Sequence, residues 1–289
     1  MDTCPYCKST SSIPYLKLRD EFLTKEPFEI VECPSCHLLF TVPRPSVESM
    51  GRYYKSDDYL SHQTNKSGLI PRLYESVKRV NLKYKFKLAT QDLPQGRLLD
   101  IGCGVGDFLG VAAKAGWEVV GIEPSSQAKS IANDRLGFMP LDPSETATLP
   151  SSSFDVITMW HVLEHVDDLS EQVSQLARLL TPGGRLIVAV PNYQSYDAIF
   201  YKSKWAAWDV PRHLSHFNTH TLNRIFSDYM FKQIDIQHLK WDAYYISFLS
   251  ERYLGHSFAL LRGAFRGVCS NLKARSSGMY SSLVYRFSK

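Results

Sequence analysis

Residues 98–106 read Leu98-Leu99-Asp100-Ile101-Gly102-Cys103-Gly104-Val105-Gly106. A short apolar run, Arg97–Ile101, enters a turn with glycine at every second position, and Val105–Ala115 follows with helical spacing. A strand that ends in such a turn and leads into a helix lets the backbone approach a ligand closely. It also aims the positive end of the helix at a carboxylate or phosphate.

Outward from this stretch, strand and helix texture alternate. Trp117–Ile122 is expected as the second strand and Ser125–Leu136 as the next helix. Phe138–Leu141 and Phe154–Trp160 read as third and fourth strands, and Leu169–Leu180 as a helix capped by Asp168. Thr181-Pro182-Gly183-Gly184 reads as a turn before a fifth buried strand, Arg185–Val190. The alternation predicts an α/β fold of βαβ units, with a parallel sheet and helices on both faces. Beyond an irregular aromatic stretch to about Asn218, Leu222–Phe231 reads as a helix, Ile234–Trp241 as a strand, 244–274 as helical and Ser281–Phe287 as a last strand.

The second strand ends in Gly121-Ile122-Glu123-Pro124. An acid at that point suits the two hydroxyls of a ribose. The glycine spacing departs from the G-x-G-x-x-G of dinucleotide sites, and Asp100 precedes the first glycine. A carboxylate there would oppose a pyrophosphate but would support an ammonium. S-adenosylmethionine carries an amino acid at one end and a nucleoside at the other, and so fits both acids.

Residues 97–192 resemble a class I S-adenosylmethionine-dependent methyltransferase. The resemblance is carried in order by residues 99–106, Val120-Gly121-Ile122-Glu123-Pro124, Phe154-Asp155-Val156-Ile157, Leu163-Glu164-His165-Val166 and Leu180-Thr181-Pro182-Gly183-Gly184. It implies a Rossmann-like seven-stranded, mostly parallel sheet whose last strand is antiparallel. It also implies that Asp100, Gly102, Cys103, Gly104 and Gly106 face the methionine part of the donor. Glu123 and Pro124 would lie at the ribose, Glu145 beside the adenine, and Met159 and Trp160 on the sulfonium side.

Four of the six cysteines form two pairs, Cys4/Cys7 and Cys33/Cys36. The N-terminus has no basic and apolar segments of a secretory signal, so a cytoplasmic, reducing setting is expected. In that setting two C-x2-C knuckles suit one tetrahedral zinc ion, structural rather than catalytic. The arrangement is similar to a bacterial methyltransferase subgroup with an N-terminal zinc ribbon, a Pro-containing link (here Thr41–Pro45) and a Tyr-Tyr segment (here Tyr53-Tyr54) before the core. The expected organisation is a zinc ribbon at 1–45, a helical linker at 46–95 and a methyltransferase domain at 96–289. Within that domain, 193–220 would be an acceptor-side insertion and 243–279 a helical insertion before the last strand. In the linker Ile70, Leu73, Val77, Val80, Tyr84 and Leu88 recur at steps of three and four and predict one apolar helix face.

The chain has 289 residues, 44% hydrophobic and 21% charged, which supports a real core and argues against wholesale disorder. Its net charge of +4 is too mild to imply nucleic acid, and no DNA partner is expected. The charge is unevenly spread. Residues 66–97 hold eight basic residues against two acidic ones, and 243–279 hold five against Glu251. Such segments are solvated helix faces, or they meet an anionic acceptor or membrane surface. Residues 243–279, where aromatic and aliphatic residues alternate with arginines, are the candidate for peripheral membrane contact.

Methyl transfer is an in-line displacement, helped by a general base when the acceptor is an oxygen or carbon. His161 follows the fourth strand, and Pro211-Arg212-His213-Leu214-Ser215-His216-Phe217 lies in the acceptor-side stretch. His161 and His213 are the candidate bases. His161-Val162-Leu163-Glu164-His165 also spells the H-x-x-E-H zinc-hydrolase pattern. Ubiquinone-biosynthesis O-methyltransferases, which this core resembles, carry an E-x-x-E-H patch linked to a divalent ion. The function expected is methylation of an oxygen or carbon on a small-molecule, sugar or lipid-linked acceptor. The alternatives are RNA methylation through the ribbon, and a non-catalytic cofactor-binding docking protein.

Overall fold

The computed structural model describes residues 3–54 and 69–289. Lys66 lies outside the described residues, as do residues 55–68 of the expected linker and the side chains of Ile70, Arg72 and Leu73.

Among the described residues ten strands form two sheets. The larger contains β4 (Arg97–Ile101), β5 (Glu118–Ile122), β6 (Phe154–Trp160), β7 (Leu180–Pro191), β9 (Lys232–His238) and β10 (Ser282–Ser288), in the order β5-β4-β6-β7-β10-β9. The pairs β4/β5, β4/β6 and β6/β7 are parallel, and β10 runs antiparallel to both β7 and β9. Among the described residues, besides a single turn at Val47–Met50, the helices are α1 (Leu69–Thr90), α2 (Asp107–Lys114), α3 (Ser126–Leu136), α4 (Leu169–Leu179), α5 (Tyr196–Tyr201), α6 (Thr219–Ser227), α7 (Asp242–Tyr253) and α8 (Ala259–Ser277). Two apolar clusters, one containing Leu99, Ile157 and Val188 and the other Leu98, Val156 and Ile187, line the sheet. Neighbouring residues of one strand divide between them, as the two-residue period of a strand buried on both faces requires.

This is the Rossmann-like α/β architecture expected, with six strands in place of seven. Phe138–Leu141 is a single parallel bridge, Leu141 to Ile122, held by Leu141 N to Gly121 O and Glu123 N to Leu141 O. Pro140 and Pro143 flank that bridge. Neither has an N–H for a ladder, so pairing stops after one residue. Thr181–Gly184 is a bulge within β7 rather than a turn before it. Phe154 pairs with Leu180 and Val156 with Arg185, and Gly183 takes φ +76°. The expected helix at Leu222–Phe231 lies earlier, at Thr219–Ser227, because the Asn218 side chain accepts from Thr221 N at 2.8 Å and starts it. The helical stretch 244–274 divides into α7 and α8. On α1, Val80 is exposed; Tyr84 and Leu88 pack inward with Leu82, Phe86 and Ala89.

The second sheet joins β1 (Ile13–Arg19), β2 (Pro27–Glu32) and β3 (Leu39–Val42) to β8 (Ser215–His216). Its last strand therefore comes from a segment far along the chain, with Leu39 opposite His216 and Phe40 opposite Ser215. Cys4, Cys33, Cys36, Leu38 and Phe40 share one buried cluster with Leu163, Leu169, Phe217 and Leu222.

Candidate active site

Asp100, the last residue but one of β4, is almost fully buried, and its Oδ1 accepts from Thr158 Oγ1 at 2.6 Å. Burial raises its pKa to about 7, with the nearby Glu123 adding to the rise; Thr158 and the Lys85 ammonium oppose it. Glu123 directly follows the neighbouring strand β5. Its two oxygens accept from Gly104 N and Ser125 N, each at 2.9 Å, so the acid at one strand end closes the glycine turn of the other.

Gly102, Gly104 and Gly106 have φ of +72°, +54° and +77°. A side chain at Gly102 would strike Val162, and one at Gly106 would strike Leu136. At Gly104 a Cβ would meet nothing within 4 Å, so this is where the turn faces open space. Cys103 is buried behind it, and its thiol pKa is pushed up by burial and the two acids.

Trp160 is half-buried, edge-on to Phe108 at 5.5 Å, and the Lys85 ammonium lies over its indole at 4.7 Å. Met159 points to the opposite side of β6 and is fully buried in the core, so its side chain does not join this group. Glu145 lies on an exposed 3-10 turn, where its Oε2 accepts from Asp142 N at 2.7 Å. Pro124 is exposed beside Glu123.

His161 follows β6 with φ +59°, an uncommon conformation for a residue with a Cβ. The turn sets its ring between two carboxylates, with Nε2 2.9 Å from Asp242 Oδ2 and Nδ1 3.4 Å from Glu164 Oε1. Burial opposes the charge, but the two acids prevail and raise its pKa to about 9. As an imidazolium it is hydrogen-bonded through Nε2 to Asp242, with Glu164 close by on the Nδ1 side. His213 is buried, its Nδ1 2.9 Å from Ala207 O and its Nε2 3.9 Å from Asp209 Oδ2. Its ring meets His165 edge-on at 4.6 Å, and His165 Nδ1 is 2.9 Å from Arg212 O.

Both His165 and His213 therefore hold a backbone carbonyl through Nδ1. One ring nitrogen of each and an oxygen of the buried Glu164 carboxylate converge to within 4.8 Å, a set that could hold a cation. The H-x-x-E-H pattern does not act as one unit. Residues 163–165 form a 3-10 turn, and His161 bridges Glu164 and Asp242 while the converging set is Glu164, His165 and His213. The four ribbon cysteines converge too, with Cys4 and Cys36 Sγ 3.5 Å apart and Cys7 and Cys33 Sγ 3.4 Å apart. A tetrahedron with Zn–S bonds of about 2.3 Å has edges of roughly 3.7 Å, so the thiols are spaced to fit zinc.

Sequence reasoning missed Lys85 and Asp242. Lys85 left a signal, a cation inside the apolar stripe of α1. Asp242 left none, because only the fold brings it to His161.

The sheet order, the strand-end acids and the glycine turn define the fold of a donor-binding methyltransferase core. A methyltransferase domain family matches residues 74–235, more than half of the chain, and the protein belongs to that family. An uncharacterized 37.1 kDa protein in transposon TN4556 of Streptomyces fradiae is 31% identical over 147 residues, 43% of this chain and 43% of that one. A ubiquinone biosynthesis O-methyltransferase of Bradyrhizobium sp. (strain ORS 278) is 36% identical over 125 residues, 40% of this chain and 49% of that protein. The chain thus spans less than half the length of these curated relatives. Phosphoethanolamine N-methyltransferase 2 of Haemonchus contortus, solved with S-adenosyl-L-methionine, superposes with a TM-score of 0.51 at 20% identity, covering 72% of this chain and 52% of that one. The [4+2]-cyclase SpnF superposes with a TM-score of 0.50 at 18% identity, covering 72% and 80%. The shared fold therefore does not by itself dictate the chemistry.

Proposed function

We propose that the protein transfers a methyl group from S-adenosylmethionine to an oxygen or carbon of a small-molecule, sugar or lipid-linked acceptor. The observation that carries this reading is the pair of carboxylates at the ends of neighbouring strands, set around a glycine turn that opens at Gly104. Asp100 would take the ammonium and Glu123 the ribose hydroxyls. Bound there, S-adenosylmethionine supplies an electrophilic methyl group. The chain's own residues have to align the acceptor and exclude water. Val162 packs against Gly102 of the turn, and Trp160 lies beside Phe108 and Lys85 at the end of β6.

Of the two candidate bases, His213 holds its nearest ion-pair partner loosely, Nε2 to Asp209 Oδ2 at 3.9 Å against 2.9 Å for His161 to Asp242, and is assigned proton removal. His161, committed to Asp242 and Glu164, is assigned a positioning role. Zinc held by Cys4, Cys7, Cys33 and Cys36 would be structural, and the thiol set suits a reducing, cytoplasmic setting. Among the described residues no helix is long and apolar enough to cross a membrane.

Titration calorimetry with S-adenosylmethionine tests the reading. Affinity should rise with pH through about 7, as Asp100 loses its proton and can meet a cation. Asp100→Asn should weaken binding at least about ten-fold, one charge-assisted contact in a buried site, and flatten the pH dependence. Undetectable binding, or a variant indistinguishable from wild type, would refute it.

A further inference from the structure

Helix α8 is packed with its small residues inward. Ala259, Gly263, Gly267, Ser270 and Ala274 are buried against the molecule. A Cβ at Gly263 would lie 2.5 Å from Phe248 Cα, and one at Gly267 2.9 Å from Tyr244 Cα, so α7 and α8 touch backbone to backbone. The large apolar residues point the other way. Phe258, Leu260, Leu261 and Phe265 are 71%, 69%, 70% and 63% exposed, and Leu272 is exposed beyond them. In water a surface helix buries its large apolar side chains and exposes its small or polar ones. This one does the reverse.

Charge indicates what meets the face. From Leu254 to Ser281 the chain carries Arg262, Arg266, Lys273 and Arg275 and no acid. The Arg266 guanidinium lies 3.8 Å over Phe200, which extends the patch onto the exposed Ile199 and Phe200 of α5. A second copy would set like charges face to face, whereas an anionic bilayer would meet both the apolar residues and the basic ones. We propose that α8 lies on an anionic membrane surface, apolar face down, with Arg266, Lys273 and Arg275 among the lipid headgroups. The proposal goes beyond the donor reading and needs no turnover. Because α7 begins at Asp242, the partner of His161, the same hairpin would hold the crevice beside the bilayer.

Sedimentation of the full chain with vesicles tests it. The protein should pellet with phosphatidylcholine–phosphatidylglycerol vesicles, weakly or not at all with phosphatidylcholine alone, and less as salt is raised. Leu261→Ser with Phe265→Ser should lower partitioning at least ten-fold with an unchanged circular dichroism spectrum, since both side chains are exposed. Lys273→Gln and Arg275→Gln should each lower it about five-fold, the equivalent of ~1 kcal/mol per basic residue near the surface. Failure to pellet with the anionic vesicles would overturn the proposal. So would a dimer in analytical ultracentrifugation that the Leu261→Ser, Phe265→Ser variant abolishes, because a second copy would then cover the face.

Discussion

The donor half of the molecule and the acceptor half are built on different length scales. Around β4, β5 and β6 the functional groups sit in short-range patterns of strand, glycine turn and strand, tied across the sheet by Thr158 to Asp100 and Gly104 to Glu123. Asp100 is the last residue but one of a strand, Gly102 to Gly106 turn the chain, and Glu123 directly follows the next strand with its own neighbour Ser125 as partner. Around β8 short-range contacts such as Arg212 to Asp209 are joined by many long-range ones. Thr41 donates to His213 O and sits 3.0 Å from His216 Nε2. Arg212 reaches Asp20, Asp209 and the carbonyl of Tyr53, and His161 reaches Asp242. A half built from local units tolerates change one piece at a time. A half held by distant pairs fails together, and the ribbon is the piece on which most of those pairs converge.

The largest effect should come from taking the ribbon away. A structural zinc contributes an apparent ~10–16 kcal/mol to a small module, far more than any single contact in it. One zinc per chain is expected by elemental analysis. Cys33→Ser, or a strong chelator, should unfold β1 to β3 and release β8, and so open the wall carrying His213. The donor half should keep its helices and strands. Hydrogen exchange read by mass spectrometry would show this as lost protection at residues 13–42 and 205–217, with 97–122 still protected. A metal-free chain with an intact ribbon, or equal loss of protection in both halves, would break the comparison.

The next effect isolates one distant pair. Arg212 and Asp20 are buried at 2.9 Å, with side-chain exposures of 2% and 0%. Breaking a buried pair strands the remaining charge and costs about 3–5 kcal/mol, whereas a well-packed apolar replacement of the whole pair can be neutral. Arg212→Met should therefore destabilise by about that amount in urea melts, since Asp20 keeps its charge and loses its cation. Asp20→Asn should cost less, because the amide oxygen can still accept from Phe22 N and Leu23 N and Arg212 keeps Asp209 as its anion. Equal small losses in both variants would mean that the ribbon docks through its apolar cluster alone.

The same difference in scale sets what the sequence reveals. Strand, glycine turn and helix around Asp100 are short-range patterns, and so is Asp168 as a cap, which the structure keeps with Asp168 Oδ1 accepting from Glu171 N at 3.1 Å. The two-knuckle cysteine spacing is local as well. Ser215–His216 has no strand signature, because two residues carry no period and their partner lies about 175 positions away. Asp242 is equally silent. The missing seventh strand was legible in principle, since Pro140 and Pro143 both argue against a ladder. The helix α8 misleads for a physical reason. Its apolar period is real, but the face it marks is the outer one.

The smallest effect concerns His161, where the two halves meet. Its folded pKa of about 9 lies above the ordinary 6.5, so the protonated ring favours the folded state. That contribution is fully present below the unfolded value and is lost as pH rises from about 6.5 through 9. Asp242 and Glu164 have lowered pKa values for the same reason, each carboxylate being held by the imidazolium. Asp242→Asn should remove the closer of the two partners and bring the His161 titration, followed by NMR, down toward its ordinary range. The stability cost should be on the order of 1–3 kcal/mol at pH 6 and fade toward pH 9, because the wild-type pair is itself dissolving there. A cost that stayed constant across that range would show that Asp242 acts by packing or capping α7 rather than by its charge. The junction of the halves would then rest on shape, and His161 would need no ionised partner to hold its left-handed turn.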